Sequence, residues 1–118
     1  MGVIRITHKT DFDTVMDAGI YASTAHFALH IKTPVAHNRI GAVVPKRWAK
    51  RAVTRNTIKR QIYALAAHCQ WPLPASDRVV RLRKSFDTQV FNSASSLALK
   101  SAVRMELQLL FDKALNTP

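Results

Sequence analysis

The sequence predicts a single α+β domain with one strongly cationic face, and three observations predict it. Its 118 residues suit one domain, able to bury about two thirds of the surface that its unfolded chain exposes. Long stretches with apolar residues at helical spacing are set among short stretches that alternate or carry β-branched residues. The charge is lopsided: the formal net charge is +11 and the pI about 10.7, yet 47% of residues are hydrophobic, too many for a disordered polycation.

Taken in order, residues 1 to 9 read as a short extended arm. Thr10 or Asp11 can cap a helix in which Phe12, Val15 and Met16 form an apolar stripe, with Asp11 and Asp13 at its positive end and Gly19 closing it. From Ser23 to Lys32 the pattern alternates, with Phe27, Leu29 and Ile31 on one face and His26, Ala28 and His30 on the other, a half-buried strand. Thr33 to Asn38 reads as a loop, and Arg39 to Val44 as the return arm of a hairpin that Pro45 stops.

A long helix is expected from Arg51 or Ala52 to His68, since neither Gly nor Pro interrupts it before Pro72. Ile58, Ile62, Leu65 and Cys69 make its apolar arc; Arg55, Asn56, Lys59, Arg60 and Tyr63 lie on an adjoining arc about 140° wide. A loop follows, and Asp77 opens a third strand in which Arg78, Arg81 and Arg83 add charge around Val79 and Val80. Residues 84 to 94 are poorly patterned. From Ser95 or Ser96 to Leu115, apolar residues at Leu99, Val103, Leu107, Leu110 and Phe111 describe an amphipathic helix.

The charge is concentrated between Pro45 and Arg60, where PKRWAKRAVTRNTIKR holds seven Lys or Arg and no acid. Between Asp17 and Asp77 there is no acid at all, against nine Lys and Arg. Such a surface calls for a polyanion, and nucleic acid leads over an anionic membrane surface. Asn56 and Tyr63 add hydrogen bonding and stacking, which a plain solvated charged face does not need.

Other chemistries fare poorly. Cys69, the only cysteine, permits no intrachain disulfide or Cys-based zinc site, and on the apolar arc it reads as a small core residue, not a nucleophile. His26 and His30 have no third ligand at a recognised spacing, so no metal site is predicted. Seven scattered acids and three glycines offer neither a carboxylate pair nor a phosphate-gripping loop. No catalytic residue is therefore assigned. Trp48 and Trp71 flank the basic helix and suit core or hinge packing, with base stacking a second role for Trp48. With no signal-like or membrane-spanning run, the chain is expected to be cytoplasmic and free of membranes.

At Arg55-Asn56-Thr57-Ile58-Lys59-Arg60 the pattern becomes more specific than charge. The run, preceded by the strand Arg39 to Val44, the basic pair Lys46-Arg47 and Arg51 to Thr54, resembles the RNxxKR signature of the bacterial ribonuclease P protein component. Asp11-Phe12, Val15, Gly19 and Phe27-Ala28-Leu29 extend the resemblance over nearly the whole chain.

That resemblance implies a two-layer α/β sandwich, about four strands with about three helices, and a left-handed βαβ crossover where pattern alone predicts a right-handed one. It implies a single RNA-binding domain over residues 1–118 that assists 5′ maturation of tRNA. The catalyst is then an RNA subunit, the other partner is precursor tRNA, and no obligate protein partner is needed. Mg²⁺ would act with the RNAs, without a dedicated protein site. By position Arg55, Asn56, Lys59 and Arg60 would bind RNA beside the basic pair Lys46 and Arg47, and Lys50, Arg51 and Tyr63, taken from the charge and the helix arc, complete the expected RNA-binding set. Phe12, Met16 and His30 would line a cleft for the 5′ leader. Met16 and His30 stand where the family often has Phe and Tyr, and Tyr63 where it often has Arg. The alternative is a non-catalytic, ribosome-associated RNA-binding or RNA-chaperone protein.

Overall fold

Four strands and three helices make up the fold of the computed structural model, which describes residues 4–71, 74–86 and 97–115. In chain order these are α1 (Lys9–Asp17), β1 (Ala22–Ser23), β2 (Phe27–Lys32), β3 (Arg39–Val43), α2 (Ala52–His68), β4 (Asp77–Leu82) and α3 (Leu97–Leu115). The strands form one sheet in the order β1-β2-β4-β3. The expected start of the last helix, at Ser95 or Ser96, and residues 87–94 of the unpatterned stretch lie outside the described residues.

The sheet corrects the expected hairpin. β3 does not return along β2; β4 lies between them, antiparallel to β2 and parallel to β3, with Leu29 opposite Val80 and Ala42 opposite Val80 on its other side. Both faces of β4 are apolar at Val79 and Val80, which suits the middle of the sheet, and β3-α2-β4 becomes the crossover unit. The strand expected from Ser23 to Lys32 is also divided. Thr24 donates its backbone N–H to the Phe27 carbonyl at 2.9 Å, and β1 folds back on β2 with Ala22 opposite Leu29.

α2 and α3 cover one face. Phe27, Leu29, Val80 and Leu82 from the sheet meet Ile58 and Ile62 of α2 and Val103, Leu107 and Phe111 of α3, all fully buried. Each such side chain contributes about 1.5–3 kcal/mol on burial, so this layer carries most of the stability. α1 lies across the other face, where Val15 packs on Val79 and Ile6 with Phe12, Met16 and Val43 around them. This second cover explains why the strand expected to be half-buried is buried on both sides, Ala28 fully and His30 to 4% exposure.

α1 begins earlier than expected. Its N-cap is His8 in extended conformation with no side-chain cap, because the preceding residues are held to β3: Ile40 donates to the Ile4 carbonyl and Ile6 to the Ile40 carbonyl, both at 2.9 Å. That pairing forces the chain to turn at His8, leaving Asp11 in the first turn. Gly19, at φ 90°, ends the helix as read.

Two polar clusters tie the layers. Glu106 of α3 accepts from Thr24 Oγ1 at 2.6 Å, from the His26 backbone at 2.7 Å, and faces His26 Nδ1 at 2.7 Å, while Phe86 stacks on the His26 ring. Arg39 grips Asp77 through Nε at 2.8 Å and Nη2 at 2.7 Å, and its Nη1 reaches Asp11 at 3.4 Å; these acids raise its already high pKa. Arg78, read from sequence as surface charge, is instead 3% exposed, its guanidinium 3.8 Å above the Trp71 ring and bonded to Asn38. Burial lowers its pKa to about 10.

Candidate nucleic-acid interface

The basic surface is built at the C-terminal end of β3. After Val43 the chain turns on Pro45, whose carbonyl accepts from the backbones of Trp48 and Ala49 at 3.1 Å, and then enters α2. Lys46, Arg47, Lys50 and Arg51 all stand exposed in this link. Arg47 lies 5.2 Å over the Trp48 ring, and Trp48 itself packs against the main core, so the indole serves as a hinge with a cation on its outer face. α2 starts with no acid in its first turn and no side-chain cap at Arg51, leaving amide donors and a positive dipole end among four cations.

Along α2, Asn56 and Arg60 are exposed, whereas Lys59 and Tyr63 are half-buried, beside the face that carries Ile58, Ile62 and Ala66. Arg55 differs from its neighbours. Its Nη1 donates to the carbonyls of Ala49 at 3.0 Å and Lys50 at 2.8 Å, so it fastens the basic link to the helix as well as adding charge. Tyr63 receives a cation that sequence reasoning missed: the Arg5 guanidinium lies 4.0 Å from its ring centroid. Arg5 comes from the segment paired with β3, and nothing in the local pattern of residues 1 to 9 shows that pairing. Of the nine predicted RNA-binding residues, four stand in the link that leads into α2 and five follow along the helix, and Arg5 joins them at Tyr63.

The three residues expected to line a leader cleft lie on the opposite face of the sheet. Phe12 rests on Gly41 of β3 so closely that a Cβ there would collide with its ring. Met16 packs beside the Val15 and Val79 cluster. His30 forms the buried floor: its Nδ1 is 2.8 Å from the Gly19 carbonyl and its Nε2 accepts from Arg81 Nε at 3.2 Å. Burial lowers the His30 pKa despite the Gly19 bond, and the Arg81 charge lowers it further.

The remaining candidates behave as structural groups. Cys69 is half-buried against the core with its thiol pushed up by burial, the opposite of an activated nucleophile. Among the described residues no three His, Cys, Asp or Glu side chains gather where they could hold a metal, and no helix is long and apolar enough to cross a membrane.

Comparison with known proteins agrees with this architecture. The family model for Ribonuclease P matches residues 3–106. A protein of Paraburkholderia xenovorans described as "Ribonuclease P protein component" is 31% identical over 110 residues, covering 93% of this chain and 79% of that one. One of the same description from Ralstonia pickettii is 34% identical over 111 residues, covering 93% and 78%. Among solved structures, the Staphylococcus aureus RNase P protein superposes with a TM-score of 0.71 at 24% identity, over 97% of this chain and 99% of that one. The Thermotoga maritima RNase P protein gives 0.63 at 21% identity, over 90% and 94%. These likenesses show the same arrangement of three helices on a four-stranded mixed sheet. The matched family model and the identity of these relatives, over nearly the whole of the domain described above, place the chain in the bacterial ribonuclease P protein family.

Proposed function

We propose that this chain is the protein subunit of ribonuclease P, acting with a catalytic RNA subunit in the cytoplasm to remove the 5′ leader of precursor tRNA. The observation that carries the reading is α2 with its basic link, a stretch rich in Lys and Arg and without acids, carried on a folded domain of this family. In this reading that stretch grips phosphates of the RNA subunit. Each neutralised phosphate releases condensed counterion, with a salt slope of about 0.7 to 0.9 per contact. The face of the sheet that carries α1, with Phe12 and Met16 at its wall, then takes the single-stranded leader beside the basic link.

The protein residues supply position and charge, not bond cleavage. They also do not fit Mg²⁺. The interface side chains are cations or neutral, and the nearby acids Asp77 and Asp11 are held by Arg39. In our reading Mg²⁺ belongs to the RNAs, and the protein aids it indirectly by neutralising the phosphate repulsion that the ion would otherwise have to overcome.

Reconstitution tests this. Adding the protein to a bacterial ribonuclease P RNA at low Mg²⁺ is expected to raise 5′ cleavage of precursor tRNA. Salt-sensitive RNA binding without any gain in cleavage would overturn the reading and leave a packaging or chaperone role. Cleavage by the protein with no RNA subunit would overturn the assignment of catalysis to RNA.

A further inference from the structure

Arg81 is a cation on the α1 face of the sheet, the groove of the reading above, and that reading leaves it unused. It lies on β4 opposite Ala28 of β2 and Val43 of β3, on the same face as Val79 and two residues beyond the point where α1 packs. It is half-exposed. Its Nε donates to His30 Nε2 at 3.2 Å, and the other ring nitrogen of His30 faces the Gly19 carbonyl at 2.8 Å. A ring that accepts at Nε2 and donates at Nδ1 is neutral, so His30 orients the guanidinium without cancelling its charge. Nη1 and Nη2 of Arg81 make no hydrogen bond or ion pair among the described residues.

This differs from the other arginines of the sheet. Arg39 is neutralised by Asp77, Arg78 is buried on Trp71, and Arg83 is spent on the Thr24 carbonyl. Among the described residues Arg81 alone of these four keeps both terminal nitrogens unbonded, and together they form one open edge of the fork, the form suited to a phosphate oxyanion. β3 and β4 are parallel, and Val43 is opposite Arg81, which places Arg81 at the end of the sheet from which the chain continues through Pro45 to Lys46 and Arg47.

We propose that Arg81 binds a backbone phosphate of the single-stranded RNA lying in the groove, with His30 as its positioning residue. The contact would connect the basic link to the Phe12 end of the groove in one phosphate track. The proposal rests on the reading that the groove takes the 5′ leader.

The test uses the holoenzyme reconstituted with ribonuclease P RNA, and two substrates: precursor tRNA with a leader several nucleotides long, and the same tRNA with none. Arg81→Met is expected to weaken binding of the first about tenfold, the scale of one charge-assisted contact, and to reduce its salt slope by about one phosphate. Binding of the second is expected to stay unchanged. Arg81→Lys retains the charge and should keep the slope while losing part of the affinity. His30→Phe should weaken leader-dependent binding with the slope retained, and His30→Gln, which offers Arg81 an acceptor again, should restore part of it. Urea unfolding of each free variant confirms that it is folded. Equal losses on both substrates, or no loss on either, would overturn the proposal. A wild-type holoenzyme that cleaves but shows no preference for the leader would overturn the groove reading, and one that fails to cleave would overturn the wider assignment.

Discussion

Replacing Gly41 by Ala tests whether the Phe12 ring is seated on the sheet as described. The backbone of Gly41 has no positive φ, so alanine is conformationally allowed there. By itself, loss of glycine's freedom in the unfolded chain would stabilise the protein by about 0.4–1 kcal/mol. Against this, the new Cβ would overlap Phe12 Cε1 and lie 3.0 Å from Cζ and 3.2 Å from Cδ1. Overpacking of this kind costs about 1–3 kcal/mol. The second effect is the larger, so the net loss should be about 1–2 kcal/mol, or a Tm lower by several degrees, about 4 °C per kcal/mol for a domain of this size. Thermal and urea unfolding measure it. Phe12→Leu in the same chain should recover most of the loss, a coupling of about 1 kcal/mol in a double-mutant cycle. A neutral or stabilising Gly41→Ala, or losses that simply add, would refute the contact and with it the seating of Phe12 on the sheet.

Four further outcomes follow from the geometry. Arg55→Met should lower both stability, by about 1–3 kcal/mol through the two carbonyls left unmatched, and RNA affinity, whereas Lys59→Gln should lower affinity with stability within about 0.5 kcal/mol; urea unfolding beside a salt-titrated binding assay separates them. Glu106→Ala should cost about 2–4 kcal/mol, because Thr24 and the His26 backbone lose one shared acceptor, and a cost below about 0.5 kcal/mol would show that water replaces it. His30 is depressed below the ordinary histidine value, so its neutral form contributes stability that is complete above pH about 6.5 and is lost as pH falls through the lower native value; the urea midpoint should fall from pH 7 to 5 more in the wild type than in His30→Gln. Arg78→Met should be neutral or stabilising, since among the described residues no carboxylate forms a salt bridge with that buried cation, and a loss above about 2 kcal/mol would show that its Trp71 and Asn38 contacts outweigh burial.

Local chemistry was legible where one stretch decides its own fate. α2 was read almost to the residue because Ala52 to His68 holds no Gly or Pro and its apolar arc is internally complete. The RNxxKR run and the link before it were equally local. What failed depended on distant partners. A strand such as Arg39–Val43 carries no mark of whether its neighbour is the preceding strand or one that arrives 38 residues later, as Asp77 does opposite Arg39. The alternation of β2 showed which side chains share a face, but His30 is buried only because α1 covers that face. Arg78 looked like Arg81 in sequence, yet one faces Trp71 and the other the groove, a consequence of the alternating faces of β4. Arg5 and Glu106 acquire their roles entirely through pairing across the chain.

The insertion of β4 between its two neighbours sets an order for biosynthesis. While the ribosome has released only the segment through β3, the sheet has a vacant central lane, and β2 and β3 have no common partner to hold them. α2 follows as a helix rich in like charges whose apolar side has no completed sheet to rest on. Only when residues 77–82 emerge can the lane fill and the crossover close over it. The sheet that supports the basic link is therefore completed late, through contacts distant in sequence that slow folding. A nascent chain carrying the basic segment alone would offer charge without a fixed shape until that strand arrives.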